Sequence, residues 1–159
     1  MTKHTIDHVR EFHNTFGHPV AEKPTIPDAK MRLLRVKLIM EEAMEFAEAS
    51  GFPCEVVLNT PDAAEPFSVQ IKDATPSMDT PSLINIVEAA DALADIDYVT
   101  QGANLVWGFP AQEIMDEVQA SNMSKLGVDG KPIRREDGKI LKGPDFFVPK
   151  IDEILKKYE

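Results

Sequence analysis

Apolar residues recur three and four positions apart along most of the chain, the spacing that lines one face of an α-helix. Ile6, Val9, Phe12 and Phe16 form the first such stripe; Thr5 or Asp7 can cap it and Gly17 ends it, which predicts a helix to about Phe16. The segment HPVAEKPTIP that follows contains three prolines and reads as an extended connector, its last proline, Pro27, opening the next helix. From Asp28 to Ser50, the residues Met31, Leu34, Leu38, Ile39, Met44 and Phe46 keep helical spacing among good helix formers until Gly51 and Pro53 stop the run. Residues 52–82 change character, with five prolines and two short alternating runs, CEVVL and FSVQI, which predict a small β-hairpin-like insert. Asp79 or Thr80 before Pro81 signals a third helix running to about Val106, apolar around much of its circumference as suits the centre of a bundle. Gly108 to Pro110 break the pattern, and a fourth helix, about Ala111 to Lys125, turns Ile114, Met115, Val118 and Met123 inward. Two Asp-Gly turns follow, at Asp129-Gly130 and Asp137-Gly138, the second a hairpin signal, and a short helix is predicted over Pro149 to Tyr158. The fold class is therefore read as all-α: a helical bundle of four main helices with a small β-hairpin-like insert and an irregular C-terminal tail.

A chain of 159 residues with 43% hydrophobic content can bury one good core, so residues 1–159 are read as a single domain with an insert at about 52–82. The formal charge of −10 argues against nucleic acid or an anionic membrane as the main partner, since either asks for a basic face. Cys54 is the only cysteine, which excludes an intrachain disulfide. The polar, amphipathic start and the lack of any apolar run of membrane-spanning length lead to the expectation of a cytoplasmic protein.

Carboxylates stand where this pattern expects core. In Ile39 to Glu48, IMEEAMEFAE, the residues Glu41, Glu42 and Glu45 lie three and four apart, which on a helix places like charges about 5–6 Å from one another. Asp91 and Asp95 lie one turn apart on the third helix, on a face otherwise made of Ala and Leu. If the two helices pack antiparallel, five carboxylates meet and could bind two or three Mg²⁺ or Mn²⁺ ions, hard cations that favour oxygen ligands; a solvated acidic face is the alternative reading. Di-iron and zinc chemistry fit badly, because His4, His8, His13 and His18 all lie near the N-terminus and one cysteine is too few. A second constellation is basic: Asn122, Ser124 and Lys125, then Lys131, Arg134, Arg135, Lys139 and Lys142, read either as a phosphate clamp or as a solvated loop with cations at a helix C-terminus. His13 and Asn14 are candidates for contact with a base or ribose.

These residues resemble the all-α nucleoside-triphosphate pyrophosphatase superfamily, which includes MazG-like proteins, dimeric dUTPases and phosphoribosyl-ATP pyrophosphatase. Glu41-Glu42-Ala43-Met44-Glu45 is similar to its EExxE motif, and Asp95 before Ile96-Asp97-Tyr98-Val99 to its ExxD motif and continuation. Phe12-His13 and the segment SNMSK, Ser121 to Lys125, extend the likeness. The glutamate of ExxD is Ala92 in that register; Asp91 could supply the missing ligand from one position earlier, and a literal ExxD at Glu88 to Asp91 is the alternative register.

The resemblance implies Mg²⁺-dependent hydrolysis of a nucleoside triphosphate, a deoxynucleotide such as dGTP or dUTP, to the monophosphate and pyrophosphate. By carry-over it assigns Glu42, Glu45 and Asp95 to metal, Glu41 to the attacking water, and Asn122 and Lys125 to substrate; together with the residues read above, the expected site places metal at Glu42, Glu45, Asp91 and Asp95, catalysis at Glu41 and Glu42, and substrate at His13, Asn14, Tyr98, Asn122, Lys125, Lys139 and Lys142. It also implies a homodimer or homotetramer. The alternative is a non-catalytic member that binds nucleotide or a protein partner through the same fold.

Overall fold

The computed structural model describes residues 4–52, 54–57, 68–71 and 84–159. Five α-helices carry the described fold: α1 (Thr5–Phe16), α2 (Ala29–Ala49), α3 (Ile86–Trp107), α4 (Ala111–Met123) and α5 (Ile151–Lys156). Gly17 ends α1 at φ +72°, a left-handed conformation that glycine adopts without strain. The start of α2 is fixed by Asp28, whose Oδ1 accepts from the Met31 N–H at 2.8 Å, so the cap rather than Pro27 opens the helix. The expected start of α3 at Asp79 or Thr80 falls outside the described residues. The helix begins instead at Ile86, where Asn85 Oδ1 accepts from the N–H groups of Val87 at 3.1 Å and Glu88 at 3.2 Å.

The expectation of four main helices with a hairpin-like insert and an irregular tail is corrected to an all-α architecture of five helices. The segments Cys54–Val57 (β1) and Ser68–Ile71 (β2) pair antiparallel, with Cys54 opposite Ile71, and the rest of the expected 52–82 insert lies outside the described residues. A ladder of four residue pairs is too short to make a layer that helices could pack on. The tail is ordered as well, because α5 lies in it and its two Asp-Gly turns close isolated antiparallel bridges, Leu126 with Pro132 and Arg134 with Ile140. Gly143 passes so close to Leu126 that an added Cβ would stand 1.9 Å from the Leu126 carbonyl oxygen, which excludes any larger residue there.

The chain forms two compact units. The first comprises Met1–Phe12 and Pro27–Ala103, and the second His13–Ile26 and Asn104–Glu159. In the first, Val9, Arg35, Ala49 and Ala92 are buried, and the edge of one ring meets the face of the other between Phe12 and Tyr98, centroids 5.9 Å apart. In the second, Leu105, Val106, Ser121 and Ile154 are buried. There the connector 20–25 is tied to the end of α3 through the Ala21 N–H to Leu105 O (2.8 Å) and the Thr25 N–H to Trp107 O (2.9 Å). Among the described residues no helix is long and apolar enough to cross a membrane.

Candidate functional site

Within the first unit, the end of α2 is joined to the start of α3 by the Asn85 N–H, which donates to the Ala49 carbonyl at 2.9 Å. From there a cleft of ≈ 500 Å³ is lined on one side by Glu45, Glu48 and Ala49 and on the other by Asn85, Glu88, Asp91 and Ala92. Residues falling in number along α2 thus face residues rising in number along α3, which is the antiparallel arrangement that the carboxylate pattern requires.

Glu42 reports the electrostatics. It is half-buried, and its carboxyl is held above the ordinary carboxylate range, first by loss of solvent and then by the negative charges of Glu45, Asp95, Glu41 and Asp91. The other four carboxylates singled out in the sequence therefore all act on Glu42 here, and every charge that shifts it is negative. Among the described residues, no three His, Cys, Asp or Glu side chains stand close enough together to hold a metal ion as they are.

The sequence reading left Glu48 out and admitted Glu88 only through the alternative register of ExxD, whereas both line this cleft. The signal was present in the spacing: at about 100° per residue, Glu88, Asp91 and Asp95 lie at i, i+3 and i+7 and form one continuous stripe on α3. Ala92 falls beside that stripe and is only 4% exposed, so a glutamate at this position would have to be accommodated in packed surroundings. The cleft thus brings Glu88 and Asp91, the literal ExxD, opposite Glu45.

The other expected site residues divide between the units. Tyr98 is in the first, half-buried against Phe12. His13, in the second, is buried, and its Nδ1–H donates to the Pro19 carbonyl at 2.8 Å while its ring tilts against His18; Asn14 beside it is exposed. Asn122 and Lys125, at the end of α4, are joined by a hydrogen bond from Lys125 Nζ to Asn122 Oδ1 at 2.7 Å. Lys139 is exposed, and Lys142 places Nζ 4.4 Å from the centre of the Phe146 ring, a cation–π contact. Arg135 is bound to Asp137 by a two-pronged ion pair that includes Nε to Oδ1 at 2.9 Å, and this closes the second Asp-Gly turn.

The end of α4 is clasped by the tail. Ser121 Oγ donates to the Phe147 carbonyl at 2.7 Å, the Phe147 N–H donates to Ser124 Oγ at 3.2 Å, and the Lys150 N–H donates to Glu117 Oε1 at 2.9 Å. Ser121 and Ser124 flank Asn122 and are the residues through which the tail fixes this turn.

No curated protein matches the chain. Among solved structures, a crystal structure of a protein named as an NTP pyrophosphohydrolase, from Exiguobacterium sp. 255-15, is 24% identical, with 99% of this chain and 95% of that chain covered and a TM-score of 0.41. The model of the family described as "PRA-PH: Phosphoribosyl-ATP pyrophosphohydrolase" matches residues 9–122, a span that takes in α2, α3, all the carboxylates of the cleft and Asn122. With well over half its length matched, and in line with the resemblance of its EExxE stretch to the all-α NTP pyrophosphatase superfamily, the chain belongs to the phosphoribosyl-ATP pyrophosphohydrolase family.

Proposed function

We propose that this protein is a divalent-metal-dependent nucleoside-triphosphate pyrophosphohydrolase that converts a (d)NTP, a deoxynucleotide such as dGTP or dUTP, and water to the monophosphate and pyrophosphate. The observation that supports it most is the convergence of negative charge on Glu42 from both α2 and α3. Donors that are all carboxylate oxygens suit Mg²⁺ or Mn²⁺ and suit neither zinc nor a haem or iron–sulfur group. Glu42, Glu45, Asp91 and Asp95 would hold two or three such ions, with Glu88 added from the cleft. When bound, the metal neutralises phosphate oxygens and lowers the pKa of water.

The chain's own residues do the rest. Glu41, exposed beside Glu42, orients the attacking water and takes its proton. Holding the water and the polyphosphate in line is the main demand of phosphoryl chemistry, and rigid helix surfaces meet it. Asn122, Lys125, Lys139 and Lys142 are assigned to the substrate together with Tyr98, His13 and Asn14; the Lys125–Asn122 hydrogen bond pre-orders one such pair. The family match adds phosphoribosyl-ATP as a second candidate substrate.

Pyrophosphate release from a panel of dNTPs and phosphoribosyl-ATP with Mg²⁺ tests the reading. Glu42→Ala and Glu88→Gln are each expected to lose about 100-fold or more in kcat. Equal activity of Glu42→Ala and the parent removes the carboxylate mechanism. Tight nucleotide binding without turnover at any metal concentration would instead support a non-catalytic member of the fold.

A further inference from the structure

One face of α2 is open to solvent and ordered along its whole length. Lys30, Leu34, Lys37, Glu41, Met44 and Glu48 recur at alternating spacings of four and three residues, the heptad spacing that keeps side chains on one side of a helix. All are exposed in a single copy except Met44, which is half-buried. Leu34 and its neighbour Leu33 line, with Met31, a groove of ≈ 480 Å³ that Lys30 and Lys37 border. The face therefore offers apolar surface framed by charge.

That charge is divided by sign: both lysines of the stripe lie in the first half of α2 and both glutamates in the second. No acid stands in the first turn of the helix and no base in the last, so α2 carries its charges against its own macrodipole. A neighbouring helix that runs the opposite way and has the same charge order relieves this, because its glutamates come to rest beside these lysines. A helix of one sign throughout would suit one half of α2 and repel the other.

The spacing of the stripe fits such a neighbour residue by residue. Lys30 and Glu48 are each nine positions from Ile39, Leu34 and Met44 each five, and Lys37 and Glu41 each two. An α2 laid antiparallel about a two-fold axis level with Ile39 thus sets every lysine across from a glutamate and Leu34 across from Met44, in both copies at once. A parallel pairing in register would set lysine on lysine and glutamate on glutamate. Lys30 and Glu48 stand about 27 Å apart along one helix, so within a copy they cannot satisfy each other.

We propose that this face of α2 is the docking surface for α2 of a second copy of the chain, packed antiparallel about a two-fold axis level with Ile39. The pairing gives the acid-rich half of each helix the cations that it lacks, and it covers the apolar groove. It goes beyond the pyrophosphohydrolase reading and does not depend on it.

Thiol cross-linking and sedimentation test the pairing. In a Cys54→Ser chain, Leu34→Cys and Met44→Cys lie about 15 Å apart on one helix, too far for a disulfide within a copy. The double variant is expected to oxidise to a covalent dimer, and Leu34→Cys alone to remain uncross-linked; efficient cross-linking of Leu34→Cys alone would show a different register and overturn the proposal. Lys30→Glu and Glu48→Lys, both at exposed positions, each set like charges across the axis twice and are expected to raise the dissociation constant between copies by about 10-fold or more. Combined in one chain they restore opposite charges, and the double exchange is expected to associate within a few-fold of the parent. Association that is equal in the parent and both single variants, or that the double exchange fails to recover, overturns the charge pairing. A parent that sediments as a monomer while its cysteine pair gives no cross-link overturns the docking surface. Nucleotide hydrolysis measured on the same parent judges the proposed function separately.

Discussion

Glu42 carries a charge that the fold makes unfavourable, and this has a pH signature. Its folded-state pKa lies above the ordinary value of 4.5, so the folded chain holds this proton more tightly than the unfolded chain does. Below about 4.5 the group is protonated in both states and costs nothing; the cost develops as pH rises through the folded pKa and is complete above it. In chelator, thermal melts from pH 4 to 8 are therefore expected to show the parent losing stability relative to Glu42→Gln as pH rises, with the variant melting at least as high at neutral pH. Added Mg²⁺ should raise the parent's melting temperature and not the variant's. A variant that melts lower than the parent at neutral pH in chelator would mean that the ionised carboxylate stabilises the fold. The cluster itself was legible in the sequence because acids at helical spacing among Ile, Met and Phe contradict burial. The place of Glu88 was not, since the continuation through Tyr98 favours Asp95 as the motif's aspartate, whereas the cleft is lined by Glu88 and Asp91. The burial of Arg35 was invisible for a different reason: a cation on a helix reads as surface.

Helix boundaries show the same division between local and tertiary information. Gly17 acts through chemistry confined to its own turn, so the end of α1 could be read directly, whereas α2, read as opened by Pro27, is capped by the Asp28 side chain. The start of α3 could not, because Asp79 and Thr80 before Pro81 make a stronger local signal than Asn85, whose side-chain cap is seen only in three dimensions. That cap also has a tertiary anchor, the Asn85 N–H on the Ala49 carbonyl, at the mouth of the acidic cleft. Asn85→Ala is accordingly expected to destabilise the protein by about 1 kcal/mol, the usual worth of a helix cap, as measured by denaturant melts. It should also weaken activity, because Glu88 is in the first turn that the cap orders. Asn85→Asp, which restores an acceptor, should recover stability. No change in stability on Asn85→Ala would show that the first turn of α3 is held by its packing alone.

At the scale of the whole molecule, the spacing that predicted buried stripes was obeyed only in part. Leu34 on α2 is 40% exposed, and Ile86 and Leu93 on α3 are 79% and 51% exposed. On α3 the exposed residues Ile86, Ala90 and Leu93 recur at i, i+4 and i+7, an apolar stripe on the side away from Glu88, Asp91 and Asp95. That stripe is left open to solvent in a single copy. A lone exposed leucine needs no explanation, but ordered stripes on neighbouring helices do. The sequence pattern could not distinguish the two faces, since a residue buried inside the chain and one buried between copies have the same hydropathy. The expected occupant is a second copy of the chain, as the resemblance to dimeric and tetrameric proteins implies. Sedimentation at micromolar concentration should give a dimer or tetramer mass. Leu93→Arg, which puts a charge on the α3 stripe and leaves the carboxylate face untouched, should shift the mass towards the monomer. Because helical stripes on the same elements carry the carboxylates proposed to bind metal, the dissociated variant should also lose Mg²⁺-dependent thermal stabilisation. A parent that sediments as a monomer across the concentrations at which it is active would leave the stripe without a partner and separate activity from assembly.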